Sequence, residues 1–185
     1  MAAPPEKTIS NLTGKWTLDR KLSSGLDEVM ALQGVGWLKI KALSVINVTE
    51  TYKQYIDDAG VTHIDVVPTV TGGFKGEESS CIVDGVKRAR TLQEFGEITE
   101  SCQWSDLTDV DEEFLRDGWV YAEGEKTGPK NLYMNVTMDK GACVLKGVWG
   151  FIDVEGKRYH ARKSTCTKDG KTAKCCHVYG WKESA

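Results

Sequence analysis

LDEVMALQGVGWLKIKALSVINVTETYKQY, residues 26 to 55, changes its period part of the way along. Leu26, Val29 and Met30 recur at helical spacing, and Ser24 followed three residues later by Asp27 is a capping pattern that predicts a helix start. Gly34 and Gly36 end that helix. After a short turn, Trp37, Ile40 and Leu43 again share one helical stripe and predict a second short helix. From Asn47 the residues alternate instead, which is the period of a strand.

Downstream the alternation persists in short runs, each closed by turn residues: Asp58-Ala59-Gly60, Gly72-Gly73, Asp84-Gly85, Gly96-Glu97, Asp139-Lys140-Gly141, Glu155-Gly156 and Asp169-Gly170. Upstream, KWTLDRKL supplies one more strand. The predicted fold is all-β with a short helical pair, an antiparallel up-and-down barrel of about ten strands capped by a helix-turn-helix after strand one. Closure is the economical way to remove sheet edges. The acidic stretch SDLTDVDEEFLRDGW, Ser105 to Trp119, breaks the rhythm and reads as a short surface helix or lid with Phe114 and Leu115 tucked down. At 185 residues the chain suits one domain, residues 11–185, preceded by a disordered tail over residues 1–10.

Charge narrows the partners. The formal net charge is -3 and the pI about 5.7, so no broad basic surface is available for nucleic acid. The densest basic cluster, Lys87 to Arg90, reads as a solvated strand face. No apolar stretch is long enough to span a membrane, and the first ten residues carry no apolar run typical of a signal peptide. The expectation is a soluble, cytoplasmic protein with reduced thiols, in which the sequons at Asn11, Asn47 and Asn135 stay unmodified.

The six cysteines, Cys81, Cys102, Cys143, Cys166, Cys175 and Cys176, contain no C-x-x-C pair. Neighbouring residues of a strand point to opposite faces, so Cys175 and Cys176 cannot share an ion, although Cys166, Cys175 and His177 form a conceivable mixed set across a hairpin. The reading adopted is small buried thiols and no metal. No phosphate loop, dinucleotide fingerprint or nucleophile elbow is present, and no cofactor is implied.

LTGKWTLDR, with Gly14 and Trp16 in a G-x-W pattern, resembles the barrel-closing motif of the calycins, the superfamily of lipocalins and fatty-acid-binding proteins. The stretch from Leu26 to Tyr55 resembles the helix-turn-helix of the intracellular fatty-acid-binding proteins, and CCHVYGWKE resembles their last strand. In that family an arginine and a tyrosine two residues on bind the ligand carboxylate. Here the tyrosine corresponds to Tyr179, and His177 stands at the arginine position, a weaker anion partner. The chain as a whole also resembles fungal lipocalin-like proteins, some of them associated with secondary-metabolite pathways.

Parity on the last strand places Cys175, His177, Tyr179 and Trp181 on one face, read as inward. Two functions fit. One is a barrel that binds a small hydrophobic molecule, with Trp149, Trp104, Tyr133, Met134, Trp37, His63, Asp65 and Cys175 as candidate lining. The other is a cofactor-free, non-redox enzyme (an isomerase, dehydratase or cyclase, a pericyclase among them) acting on a natural-product intermediate. Its candidate catalytic residues are His177, Tyr179, His160, Tyr159 and Arg162. A pure interaction module has only the acidic stretch in its favour.

Overall fold

The structure, a computed structural model, describes residues 1–93, 95–122, 130–138 and 143–183. The predicted turn at Asp139-Lys140-Gly141 lies outside the described residues. In chain order the elements are β1 (Gly14–Leu18), α1 (Leu26–Leu32), α2 (Trp37–Ser44), β2 (Val48–Ile56), β3 (Thr62–Val70), β4 (Ser79–Val83), β5 (Arg88–Leu92), β6 (Gly96–Ser105), α3 (Glu113–Arg116), β7 (Asn131–Met138), β8 (Cys143–Val154), β9 (Lys157–Lys168) and β10 (Lys171–Lys182). The predicted helical pair and strand rhythm are thus present. The capping differs, because α1 opens on Gly25 in the left-handed region with no side-chain cap. A Cβ at Gly25 would lie 1.9 Å from the Lys174 carbonyl oxygen, so close packing of the helix start on β10 sets this residue.

Strand order is β4-β3-β2-β1-β10-β9-β8-β7-β6-β5, with a further β4–β6 contact. Closure therefore runs through nine strands, and β5 lies outside it, bonded to β6 alone. The expected barrel of about ten strands is present, with nine strands in the closed wall and one outside it. β4 and β6 are separated by one hairpin strand, so they run the same way and the seam between them is parallel. The seam holds a single ladder pair, Val83 with Cys102, supplemented by the Gly85 amide donating to the Cys102 carbonyl at 2.8 Å.

Disulfides join Cys81 to Cys102 across that seam, and Cys143 on β8 to Cys166 on β9, leaving Cys175 and Cys176 free. The expected six reduced thiols are corrected accordingly. The absence of C-x-x-C rules out local pairing only, whereas the barrel brings cysteines of distant segments together. Closing loops of 21 and 23 residues, the two bridges each contribute on the order of 3 kcal/mol. Disulfides persist in oxidising compartments, so the cysteines no longer argue for a cytoplasmic location. Among the described residues no helix is long and apolar enough to cross a membrane.

The expected disordered tail is also corrected. Ile9 and Leu12 are fully buried in the core beside Trp16, whose indole N–H donates to the Leu12 carbonyl at 2.8 Å. Ahead of them, the Ala3 amide donates to the Arg158 carbonyl, the Arg158 guanidinium donates to the Pro4, Pro5 and Lys7 carbonyls, and Trp181 bonds Met1. Prolines and charges suggested a loose end, but two buried aliphatic side chains anchor it. The G-x-W pattern has a packing cause as well: a Cβ at Gly14 would meet the Trp181 ring at 2.2 Å, and Trp181 packs edge-on against Trp16.

The acidic stretch forms α3 with Leu115 buried and Phe114 packed down, as its pattern predicts. It covers the outer surface of the barrel at Val148 and is joined to β8 by a Glu112–Lys146 ion pair at 2.8 Å. One end of the barrel is covered by α1 and α2, under which the interior opens.

Candidate functional site

Between the helical pair and the barrel interior lies a cavity of about 290 Å³. Leu18, Val29, Met30, Leu43 and Leu145 give it apolar walls, while Glu50, Ser164, Cys175, His177 and Tyr179 supply polar atoms. Arg20 ties the lid down: its guanidinium donates to the Leu43 carbonyl at 2.5 Å and the Ile46 carbonyl at 3.2 Å, capping the C-terminus of α2. A wider depression of about 720 Å³ runs outside the sheet past Met1, Thr17, Lys21 and Lys182, and contains none of the histidines or tyrosines of the interior.

Alternation on three strands converges the polar groups. β2 sends Glu50 and Tyr52 inward, β9 sends His160, Arg162 and Ser164, and β10 sends Cys175, His177 and Tyr179. Arg162 and His177 are direct cross-strand partners, so a guanidinium does reach this end of the barrel, from the neighbouring strand. Arg162 Nη2 donates to Glu50 Oε2 at 2.5 Å and also contacts the Tyr52 hydroxyl. Tyr52 donates to Glu50 Oε2 at 2.8 Å, and Tyr179 to Glu50 Oε1 at 3.2 Å. The guanidinium carbon sits 3.9 Å from the Trp149 ring centroid and near the Tyr52 and Tyr179 rings, a face-on aromatic cage for the cation.

Deeper in, His160 is fully buried and ringed by Trp16, Tyr52, Trp149, Phe151 and Tyr179. Its Nδ1 donates to the Gly150 carbonyl at 3.0 Å, which leaves Nε2 facing the Tyr52 hydroxyl at 3.4 Å. His177 sits beside Cys175, with Sγ 3.2 Å from Nδ1. Burial pushes the Cys175 thiol up to about 12 and raises the Tyr179 phenol well above its ordinary value, so both stay neutral. Burial likewise pushes His160 down to about 4, and burial together with the Arg162 charge pushes His177 down to about 4.

These two imidazoles make stability depend on acid. Each has a folded pKa below its unfolded value near 6.5, so its contribution is fully present above that pH and is lost as pH falls toward 4. We expect an unchanging melting temperature between about pH 7 and pH 8, below the range where the raised Cys175 thiol matters, and a decline below pH 6.5 with a slope of about 1.4 kcal/mol per pH unit for each histidine. Thermal denaturation at a series of pH values measures it. An equally steep decline in the His160→Asn/His177→Asn double variant would show that other groups are responsible.

The remaining sequence candidates divide by parity. Trp149 is buried in the core, and Trp104 and Met134 pack against it, all on inward faces. Tyr133 points the other way and packs with Val148 and Phe114 beneath the acidic stretch, because its neighbours Leu132 and Met134 take the inward positions of β7. Tyr159 occupies the face of β9 opposite His160 and Arg162. His63 and Asp65 face outward as well, since Thr62, Ile64 and Val66 fill the core side of β3; His63 pairs with Asp57 at 2.9 Å and stacks on Tyr55, and Asp65 accepts from Ser80. Trp37 is 67% exposed on α2, away from the cavity. The expectation that these five line or serve the cavity is corrected. Among the described residues no group of three or more His, Cys, Asp or Glu side chains could hold a metal ion.

Glu50, Tyr52, Arg20 and Ser164 are polar interior groups that sequence reading missed. Glu50 and Tyr52 share parity with Val48 on a half-apolar strand, and a carboxylate on such a face signals a buried partner.

No family model matches the chain. It is 26% identical over 182 residues to a probable pericyclase of Mollisia scopiformis, covering 97% of this chain and 94% of the relative. To a pericyclase of an Acremonium species it is 25% identical over 184 residues, covering 98% and 97%. Among solved structures, the REP1-NXSQ fatty acid transporter superposes with a TM-score of 0.54 at 17% identity, covering 94% of this chain and 98% of its own. Human cRBP IV superposes with a TM-score of 0.56 at 10% identity, covering 93% and 98%. The chain has the β-barrel fold of the fatty-acid-binding proteins.

Proposed function

We propose that the barrel binds a small hydrophobic natural-product intermediate in the cavity beneath the helical pair and folds it into the shape from which a ring closes, without a cofactor. The observation that carries this reading is the cavity itself, with apolar walls around a polar end made of His177, Tyr179 and the Glu50–Arg162 pair. The two relatives, similar over nearly their whole length, are named pericyclases and support the catalytic part.

A pericyclic step asks little acid–base chemistry of a protein. Electrons move around a closed cycle within the substrate, new σ bonds form as π bonds are consumed, and no proton, electron or leaving group crosses to the protein. Rate then comes from holding a flexible chain with its reacting ends in contact, an effect that reaches about 7–11 kcal/mol for well-oriented pairs. Hydrogen bonds to a polarised carbonyl of the substrate add to it. In this reading His177, at the polar end, makes such a bond, Tyr179 and Arg162 orient the end wall, and His160 supports them from the core.

The test is incubation of the purified protein with the substrates of the two relatives, followed by chromatography with mass detection. The expected result is a new species of unchanged mass, formed at a rate proportional to protein. His177→Ala should slow it by roughly 10²-fold while leaving binding within a few-fold. Tight binding with no conversion would reduce the function to carriage, the second reading that the fold supports.

A further inference from the structure

Resting on the ligand-binding reading above, we propose that Glu50 is a built-in carboxylate occupying the anion seat of the cavity, so that the barrel accepts an uncharged ligand and rejects a fatty acid. Three donor groups at the polar end, Arg162 Nη2 and the Tyr52 and Tyr179 hydroxyls, already serve Glu50, while Arg162 Nε is buried without a hydrogen-bond partner. Glu50 Oε2 accepts from Arg162 at 2.5 Å and from Tyr52 at 2.8 Å, and Oε1 accepts from Tyr179 at 3.2 Å. These are the groups that a ligand carboxylate would need in order to leave water, and the protein's own carboxylate holds all three.

Because Glu50 already neutralises Arg162, a ligand carboxylate entering the cavity gains no net attraction from the pair to offset the cost of leaving water. The Glu50 side chain is only 12% exposed and the Arg162 side chain 18%, so water screens the pair weakly. His177 offers no positive charge, since burial and the Arg162 charge keep it neutral at physiological pH. Arg20, the other cation on the cavity wall, directs its hydrogen bonds to the carbonyls of Leu43 and Ile46. An uncharged ligand bears no such desolvation cost, and discrimination built on leaving a competitor's charge unpaired is a general route to specificity.

The experiment displaces an uncharged fluorescent apolar dye from the full-length protein with decanoic acid or methyl decanoate at neutral pH. In the wild type the ester should compete at least about tenfold more strongly than the acid. Glu50→Gln, which keeps the shape and removes the charge, should erase that preference. Glu50→Ala should reverse it, because the acid then fills the space facing Arg162, and decanoate should raise that variant's melting temperature while the ester does not. If Glu50→Ala fails to fold, Glu50→Gln decides. Equal competition by acid and ester in the wild type, or an unaltered preference in Glu50→Gln, overturns the inference and leaves the binding reading intact. If neither the dye nor either competitor binds the wild type, the inference falls together with that reading.

Discussion

Arg162→Ala should lower the stability of the folded protein by about 3–5 kcal/mol, the cost of leaving a buried charge without its partner. The magnitude follows from where Glu50 sits. Its carboxylate is 12% exposed and depends on Arg162 for charge neutrality, while Tyr52 and Tyr179 contribute only neutral hydrogen bonds. The guanidinium also packs over Trp149, so alanine removes apolar contact as well as charge. For a chain of this size the melting temperature should fall by roughly 6–20 °C, measurable by calorimetry. Arg162→Met combined with Glu50→Gln should recover most of the loss, because no charge is then stranded. A fall of less than about 2 °C in Arg162→Ala would show that the pair is solvated and that the interior is wetter than described.

The fold was legible in the sequence because its signals are local. Period changes near Gly34 and Asn47 marked the helical pair and the first long strand, and glycine-containing turns marked the hairpins. What escaped was set by contacts between distant segments. A nine-strand closure follows from β5 swinging out of the wall, and nothing within Arg88–Leu92 distinguishes it from a wall strand. Pairing of Cys81 with Cys102 and of Cys143 with Cys166 depends on which strands become neighbours. The packing of Ile9 and Leu12 depends on an open barrel end that exists only after closure.

The site was half legible for the same reason. Parity on the last strand grouped Cys175, His177 and Tyr179, which all line the cavity, since a two-residue period needs no partner strand to be read. Parity without an anchor failed elsewhere: His63, Asp65, Tyr133 and Tyr159 all fall on outward faces, and only the neighbouring core residues fix which face that is. Glu50 was overlooked because its meaning comes from Arg162, 112 residues away in sequence.

Ser164→Phe should abolish both ligand binding and conversion while leaving the fold intact. Ser164 points inward from β9, opposite Cys175 and Gly147, and forms part of the cavity wall. A phenyl ring there extends into space that the surrounding side chains leave empty, so it competes with the ligand rather than with the core. Binding of an uncharged apolar dye should weaken by at least about a hundredfold, with the melting temperature unchanged or raised.

The most direct measurement of the whole account is the titration of that dye into wild type and Ser164→Phe side by side, with the conversion of the relatives' substrates followed in the same two samples. Saturable binding and an isomeric product of unchanged mass are expected in the wild type, both lost in a variant that melts at least as high. Full binding and turnover in a folded Ser164→Phe protein would place the ligand outside the helix-capped cavity and contradict the central claim.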